Sequence, residues 1–177
     1  MVGLLEEDKG ENCMLRIKLD SCLPKPSDEM ISSTEKFYRI KFPKNYIEFL
    51  KKNNGAIPIT NVFEFNNHEY LIERFLCLLG DGINDYDEGW ADIEVTISEI
   101  SERLTDDGKR LGKKIIPIAV LFAGNYVCLD FREDEMVPSV CIWYHEESRN
   151  FDPVTRKVTD NFEEFLNILY EPERNTE

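Results

Sequence analysis

Hydrophobic positions are densest over residues 115–132, IIPIAVLFAGNYVCLDFR, where one acid and a terminal arginine are the only charges. Ile115, Ile116, Ile118, Val120, Leu121 and Phe122 make a nearly continuous apolar run, the pattern of a strand covered on both faces. Pro117 has no N–H to give to a ladder, so its position predicts an edge or a bulge. Ala123-Gly124-Asn125 marks a turn, with Gly124 and Asn125 the residues that tolerate positive φ. The return strand alternates, with Tyr126, Cys128 and Asp130 on one face and Val127, Leu129 and Phe131 on the other. The pattern predicts a central hairpin against which the remaining elements pack.

Upstream, Leu15, Ile17 and Leu19 alternate with Arg16, Lys18 and Asp20, which predicts a short strand broken off by Pro24 and Pro26. Ser27 is placed to cap a helix reaching about Tyr38, with Asp28 and Glu29 in its first turn and Met30, Ile31, Phe37 and Tyr38 inward. In FPKNYIEFLKKNNG, Pro43 opens a second helix and Gly55 follows its end. That helix turns Tyr46, Phe49 and Leu50 to the core and Lys44, Lys51 and Lys52 to water. Residues 61–65 and 70–79 read as strands around an Asn66-Asn67-His68 turn. Thr96 and Glu99 have capping-box spacing, which predicts a helix through Ile97, Ile100 and Leu104 to about Gly108. Residues 140–144, VCIWY, form a third buried strand, after which residues 146–150 turn the chain. Asp160 and Glu163 repeat the capping-box spacing ahead of a last helix, with Phe162, Phe165, Leu166 and Leu169 inward and Pro172 as its stop.

Length bounds this organisation to a single domain over residues 1–177, with an N-terminal extension over 1–26 and a frayed tail over 172–177. The content, 42% hydrophobic and 11% aromatic, is that of a globular chain. No apolar run approaches the ~20 residues that span a bilayer. The start, MVGLLEEDKG, has early acids and no basic flank or cleavage site, so no secretory signal is expected. Cys13, Cys22, Cys77, Cys128 and Cys141 show no CxxC or Cys/His clustering, which predicts free thiols in a reducing cytoplasm. The net charge of −14 repels nucleic acid and membranes and attracts basic proteins. Solubility is the other reading of the same charge.

Catalytic and cofactor motifs are absent: the chain has no P-loop, GxGxxG, GxSxG or HExxH. Only two histidines can serve as bases. His68 falls in a polar turn, and His145 follows a buried strand beside Glu146 and Glu147. An enzyme would have to use Asp130, Arg132 and His145; structural or hydrogen-bonding roles are the alternative for each. Residues 80–89, GDGINDYDEG, carry Asp81, Asp85, Asp87 and Glu88 in one loop. Calcium-loop spacing fails there, because Gly89 is the fifth residue counted from Asp85 and an EF-hand needs glycine sixth. No metal and no cofactor are therefore expected, and the loop is read as solvated or partner-facing. Trp143 belongs to the core, whereas Trp90, just past the acidic loop, is placed to line a surface cleft.

The ordered set FPKNYIEFLKKNNG, Trp90 behind an acidic loop, IPIA with GNYVCLDFR, VCIWYH and VTDNFEEFL resembles the SUKH superfamily over about residues 37–169. This group is named for yeast regulators of cell-wall synthesis and killer-toxin resistance, and includes many bacterial immunity proteins. One departure is Asn54-Gly55-Ala56, where many members carry Asn-Gly-Gly, which bears on how tight that turn can be. The resemblance implies an α+β fold with a curved, mostly antiparallel central sheet and helices packed against it. It also implies a binder and not an enzyme, since bacterial members typically neutralise a cognate toxin, often a nuclease, encoded beside them. The implied partner is a cognate toxin; the acidic charge suits one with a basic surface, and the position of the loop, not the resemblance, makes Asp81, Asp85, Asp87, Glu88 and Trp90 the expected contacts, with Asp130, Arg132 and His145 as further ones. A regulatory scaffold of the yeast type, binding endogenous proteins, is the alternative. Monomer and dimer both stay open.

Overall fold

The computed structural model describes residues 14–173 and places the hairpin of residues 115–132 at the middle of one six-stranded sheet. The strands are β1 (Val62–Phe65), β2 (His68–Phe75), β3 (Ile115–Leu121), β4 (Tyr126–Asp130), β5 (Ser139–Trp143) and β6 (Thr155–Thr159). Each pairs antiparallel with the next, so sequence neighbours are spatial neighbours from β1 to β6. The helices are α1 (Asp28–Tyr38), α2 (Lys44–Lys52), α3 (Ile93–Ile100) and α4 (Phe162–Asn167). The fold is α+β, with the sheet open at its two outer strands.

All seven residues of β3 are buried, because helices cover both faces of the sheet. Phe131, just beyond β4, points into a layer built with α2 and α4. There Phe42, Tyr46, Phe49, Phe75 and Phe162 form with Phe131 a continuous set of ring contacts, centroids 4.8–6.5 Å apart, and Phe63 and Phe165 make a separate edge-on pair at 5.2 Å. Such pairs each add about 0.5–1.5 kcal/mol beyond the area they bury. Tyr126 points the other way, to the layer that holds α3 and the fully buried Trp143, whose ring lies 5.9 Å from its own. The indole Nε1–H donates to Arg103 O at 2.9 Å and so ties this layer to the turn after α3.

Local details follow from residue chemistry, some against expectation. Pro117 sits at a register shift in the β3–β4 pairing, as a residue without a ladder donor requires. The hairpin turn puts positive φ on Ala123 (70°) and Gly124 (80°), not on Asn125, which is extended at φ −78°. Asn125 is occupied otherwise: its Oδ1 accepts His145 N–H at 2.9 Å. An L-residue at Ala123 carries the left-handed penalty, so Ala123→Gly is expected to raise stability by about 1 kcal/mol in urea unfolding. A loss of stability would show that the turn does not take this conformation. Asn66 and Asn67 also have positive φ (51° and 61°), a two-residue turn that puts His68 in β2 opposite Phe65, not in the turn.

Other boundaries shift. Ser27 caps α1 as expected, its Oγ accepting Met30 N–H at 3.1 Å. The buried face of α1, however, is Ile31, Thr34, Glu35 and Tyr38, and helical periodicity turns Phe37 outward at 75% exposure. The cap of α3 is Asp92, not Thr96, which lies buried inside the helix; the helix ends at Ile100 in a 3₁₀ turn, short of Gly108. The α4 cap is Asn161, one residue later than the Asp160/Glu163 spacing predicts, and Glu164 reaches back to Asp160 N–H. Leu15, Ile17 and Leu19 make no strand; a single bridge joins Ile17 to Pro58. The strand after the Asn-Asn turn stops at Phe75. Strand β6 has no counterpart in the sequence reading. Gly55 alone makes its turn, at φ 66°, so Ala56 in place of a second glycine leaves it intact. Residues 1–13 of the expected extension, with Cys13, and residues 174–177 of the expected tail lie outside the described residues.

Candidate functional site

The acidic loop is fastened at its base. Cys77 N–H donates to Ala91 O at 2.9 Å and Ile93 N–H to Cys77 O at 2.8 Å, so the entering and leaving segments run side by side. Asp92, only 1% exposed, locks them. One of its carboxylate oxygens accepts Leu79 N–H at 2.8 Å; the other caps α3 by accepting Glu94 N–H at 2.7 Å and Val95 N–H at 3.3 Å. Burial pushes the Asp92 carboxyl up from the usual carboxylate range, and the three N–H donors oppose that shift. Between these ends the loop folds into two 3₁₀ turns, Gly80–Asp85 and Asp87–Ala91, a compact Ω-type excursion. Gly89 is required there, since a Cβ would lie 2.6 Å from Ile83 O.

This construction presents Asp81, Asp85 and Asp87 to solvent and leaves Glu88 half-buried. None of the four has a basic partner within ion-pair distance among the described residues. Trp90 is 55% exposed, so it is not a core residue. Beside the loop, a cleft of about 340 Å³ between α1 and the start of α3 is lined by Glu29, Asp81 and Glu94 together with Ser27, Ser33 and Thr34, and by no basic side chain. Its size and charge suit a lysine or arginine head group. Glu29, Glu94 and the clamp Asp92 went unnoticed as site residues in the sequence. For Asp92 a signal exists, because an aspartate directly before an apolar helix is a strong cap.

The structure does not unite Asp130, Arg132 and His145. Asp130 and Arg132 pair with each other at the far end of β4, with Nε to Oδ1 at 2.9 Å and Nη2 to Oδ2 at 2.6 Å. The same guanidinium donates to Thr155 Oγ1 at 2.7 Å, which ties β4 to β6 across β5. The Asp130 carboxylate, hydrogen-bonded to it, holds the Arg132 guanidinium charged even more firmly. His145 lies beside the hairpin turn at the opposite end of β4, about 13 Å of strand away. Its ring packs edge-on against Trp143, and its carbonyl accepts from Arg103, whose guanidinium also lies 5.0 Å from the Trp143 ring centre. Among the described residues no group of three or more His, Cys, Asp or Glu converges as metal ligands, and no helix is long and apolar enough to cross a membrane.

The SUKH_6 family, SMI1-KNR4 cell-wall, matches residues 28–166, which takes in every helix and strand from α1 into α4. No curated protein and no solved structure matches the chain. The family match covers most of the chain, starts earlier than the resemblance at Phe37 and takes in α1, the acidic loop and the whole sheet: the chain belongs to the SUKH superfamily, within the SMI1-KNR4 cell-wall family.

Proposed function

We propose that the protein is a cytoplasmic immunity protein that binds and neutralises a cognate toxin of the nuclease type, without catalysis. The observation that carries this reading is the acidic loop: four carboxylates with no cationic partner among the described residues, beside an exposed Trp90, on a base clamped by Asp92. Nucleases are basic where they hold phosphate, and an acidic partner competes for that surface. Asp81, Asp85, Asp87 and Glu88 steer the toxin, Trp90 supplies buried contact area, and the neighbouring cleft receives a basic side chain. Asp130 and Arg132 are already paired within the fold, so their part in binding is secondary to holding β4, β5 and β6 together; His145, exposed at the other end, is a separate contact. Free thiols at Cys22, Cys77, Cys128 and Cys141 support a reducing compartment.

Co-expression with the product of the neighbouring gene tests this. The toxin should arrest growth alone, and the chain should restore growth and co-purify with it. Folded Asp130→Asn and His145→Ala variants should still protect. A substrate-dependent turnover abolished by either change would overturn a binding-only mechanism.

A further inference from the structure

The basic residues of this acidic chain are not spread evenly. Lys36, Arg39 and Lys41 at the end of α1 and Lys109, Arg110, Lys113 and Lys114 in the loop before β3 are seven of its 21 lysines and arginines. Between these two segments runs an open groove of about 560 Å³. Its floor is the buried pair Tyr38 and Ile97, and its walls are Phe37, 75% exposed, and Leu111, 67% exposed. Arg39, Arg110 and Lys113 form the rim, and no carboxylate belongs to the lining. Asp106, just outside, lies 3.7 Å from Arg110; among the described residues Arg39 and Lys113 have no acidic partner within ion-pair distance.

The groove is built into the fold. Gly112, at φ 85°, presses against Tyr38 O so closely that a Cβ would collide with that carbonyl, and Lys113 N–H donates to the same oxygen at 2.9 Å. Arg39 is held in the left-handed conformation that ends α1. These contacts hold the segments that carry Leu111 and Phe37 together along one groove, away from the acidic loop, which meets α1 at its other end through Gly80 and Met30.

We infer that this groove is a second docking surface, which takes an acidic amphipathic helix of a partner protein. The apolar floor and walls suit the apolar stripe of a helix, and the cationic rim suits carboxylates flanking that stripe. The bounding Tyr38 carbonyl is already bonded to Lys113, and no sheet edge borders the groove, so an extended segment would find no backbone ladder. A helix satisfies its own backbone and needs none. The exposed apolar walls suit an apolar stripe, which a nucleic acid strand does not carry. The inference is independent of the immunity reading.

Fluorescence anisotropy with three labelled probes tests it: a helical peptide of about 18 residues with leucines at i, i+3, i+4 and i+7 and glutamates on the flanks, its lysine counterpart, and a single-stranded oligonucleotide. The glutamate peptide alone should bind saturably at micromolar concentration, more weakly as salt rises. Arg39→Glu with Lys113→Glu, and separately Leu111→Ser, should each weaken it by about tenfold while leaving the circular dichroism of the protein unchanged. Absence of saturable binding, equal binding of the lysine peptide, binding of the oligonucleotide instead, or indifference to Leu111→Ser would overturn the inference. So would sedimentation showing a dimer that Leu111→Ser dissociates, because a second copy would then fill the groove.

Discussion

Phe165→Ala is expected to cost about 3–5 kcal/mol of unfolding free energy, close to the limit for a single core truncation. The six-residue α4 is too short to hold itself in water, so its stability comes from the face it buries. On that face Phe162 and Phe165 are buried, with Leu169 buried just beyond the helix, and the Phe165 ring packs edge-on against Phe63 at 5.2 Å. Truncation would leave a void against β1 and loosen the helix that covers one end of the sheet. Leu166, expected from periodicity to be equally inward, is only half-buried, so Leu166→Ala should cost less, about 1–2 kcal/mol. Urea unfolding of both variants gives the comparison. A larger loss at Leu166 than at Phe165 would mean that α4 is rotated on the sheet.

Asn54→Ala should cost about 3 kcal/mol through hydrogen bonding and not volume. The buried Asn54 amide donates to Pro24 O at 2.7 Å and to Leu78 O at 3.1 Å, and its Oδ1 accepts Leu78 N–H at 2.8 Å. It therefore staples the N-terminal segment to the stretch that leads into the acidic loop. Without it the Leu78 N–H stays buried and unpaired. Asn54→Asp separates polarity from shape: it keeps the volume but turns the two-carbonyl donor into an acceptor, so it should be at least as damaging as alanine. Stability of Asn54→Asp near that of the unsubstituted protein would remove the staple from the list of what holds this corner.

The sheet centre was legible in the sequence because its signal is local. A run such as IIPIAVL can only be covered on both faces, and the FPKNYIEFLKK segment has one apolar stripe and a clear start and stop. Strand β6, TRKVT, escaped because an edge strand carries charge: Arg156 pairs with Glu147, and its guanidinium sits 4.2 Å from the Tyr144 ring centre. The capping-box spacings at Thr96 and Asp160 misled because better caps stand nearby: Asp92 accepts from Glu94 and Val95 N–H and Asn161 from Glu164 N–H, both residue types that cap as well as threonine or better. The acidic loop and Trp90 were readable as exposed chemistry. That Asp92 binds the loop ends together, and that Asp130 and His145 lie at opposite ends of β4, depends on strand pairing that no spacing rule reports. The basic groove joins residues some 70 positions apart, which neither segment signals alone.

The most direct measurement is stopped-flow association with the cognate toxin that the proposed function requires, across a salt series, for the unsubstituted protein and a variant with Asp81, Asp85, Asp87 and Glu88 replaced by their amides. Steering by uncompensated surface acids acts on the association rate and fades as salt shortens its range, which is about 10 Å at 0.1 M. The variant should therefore associate more slowly at low salt, with the two rates converging at high salt, while Trp90→Ala should mainly speed dissociation. Equal association rates at every salt concentration would contradict the assignment of this loop as the surface that meets the partner.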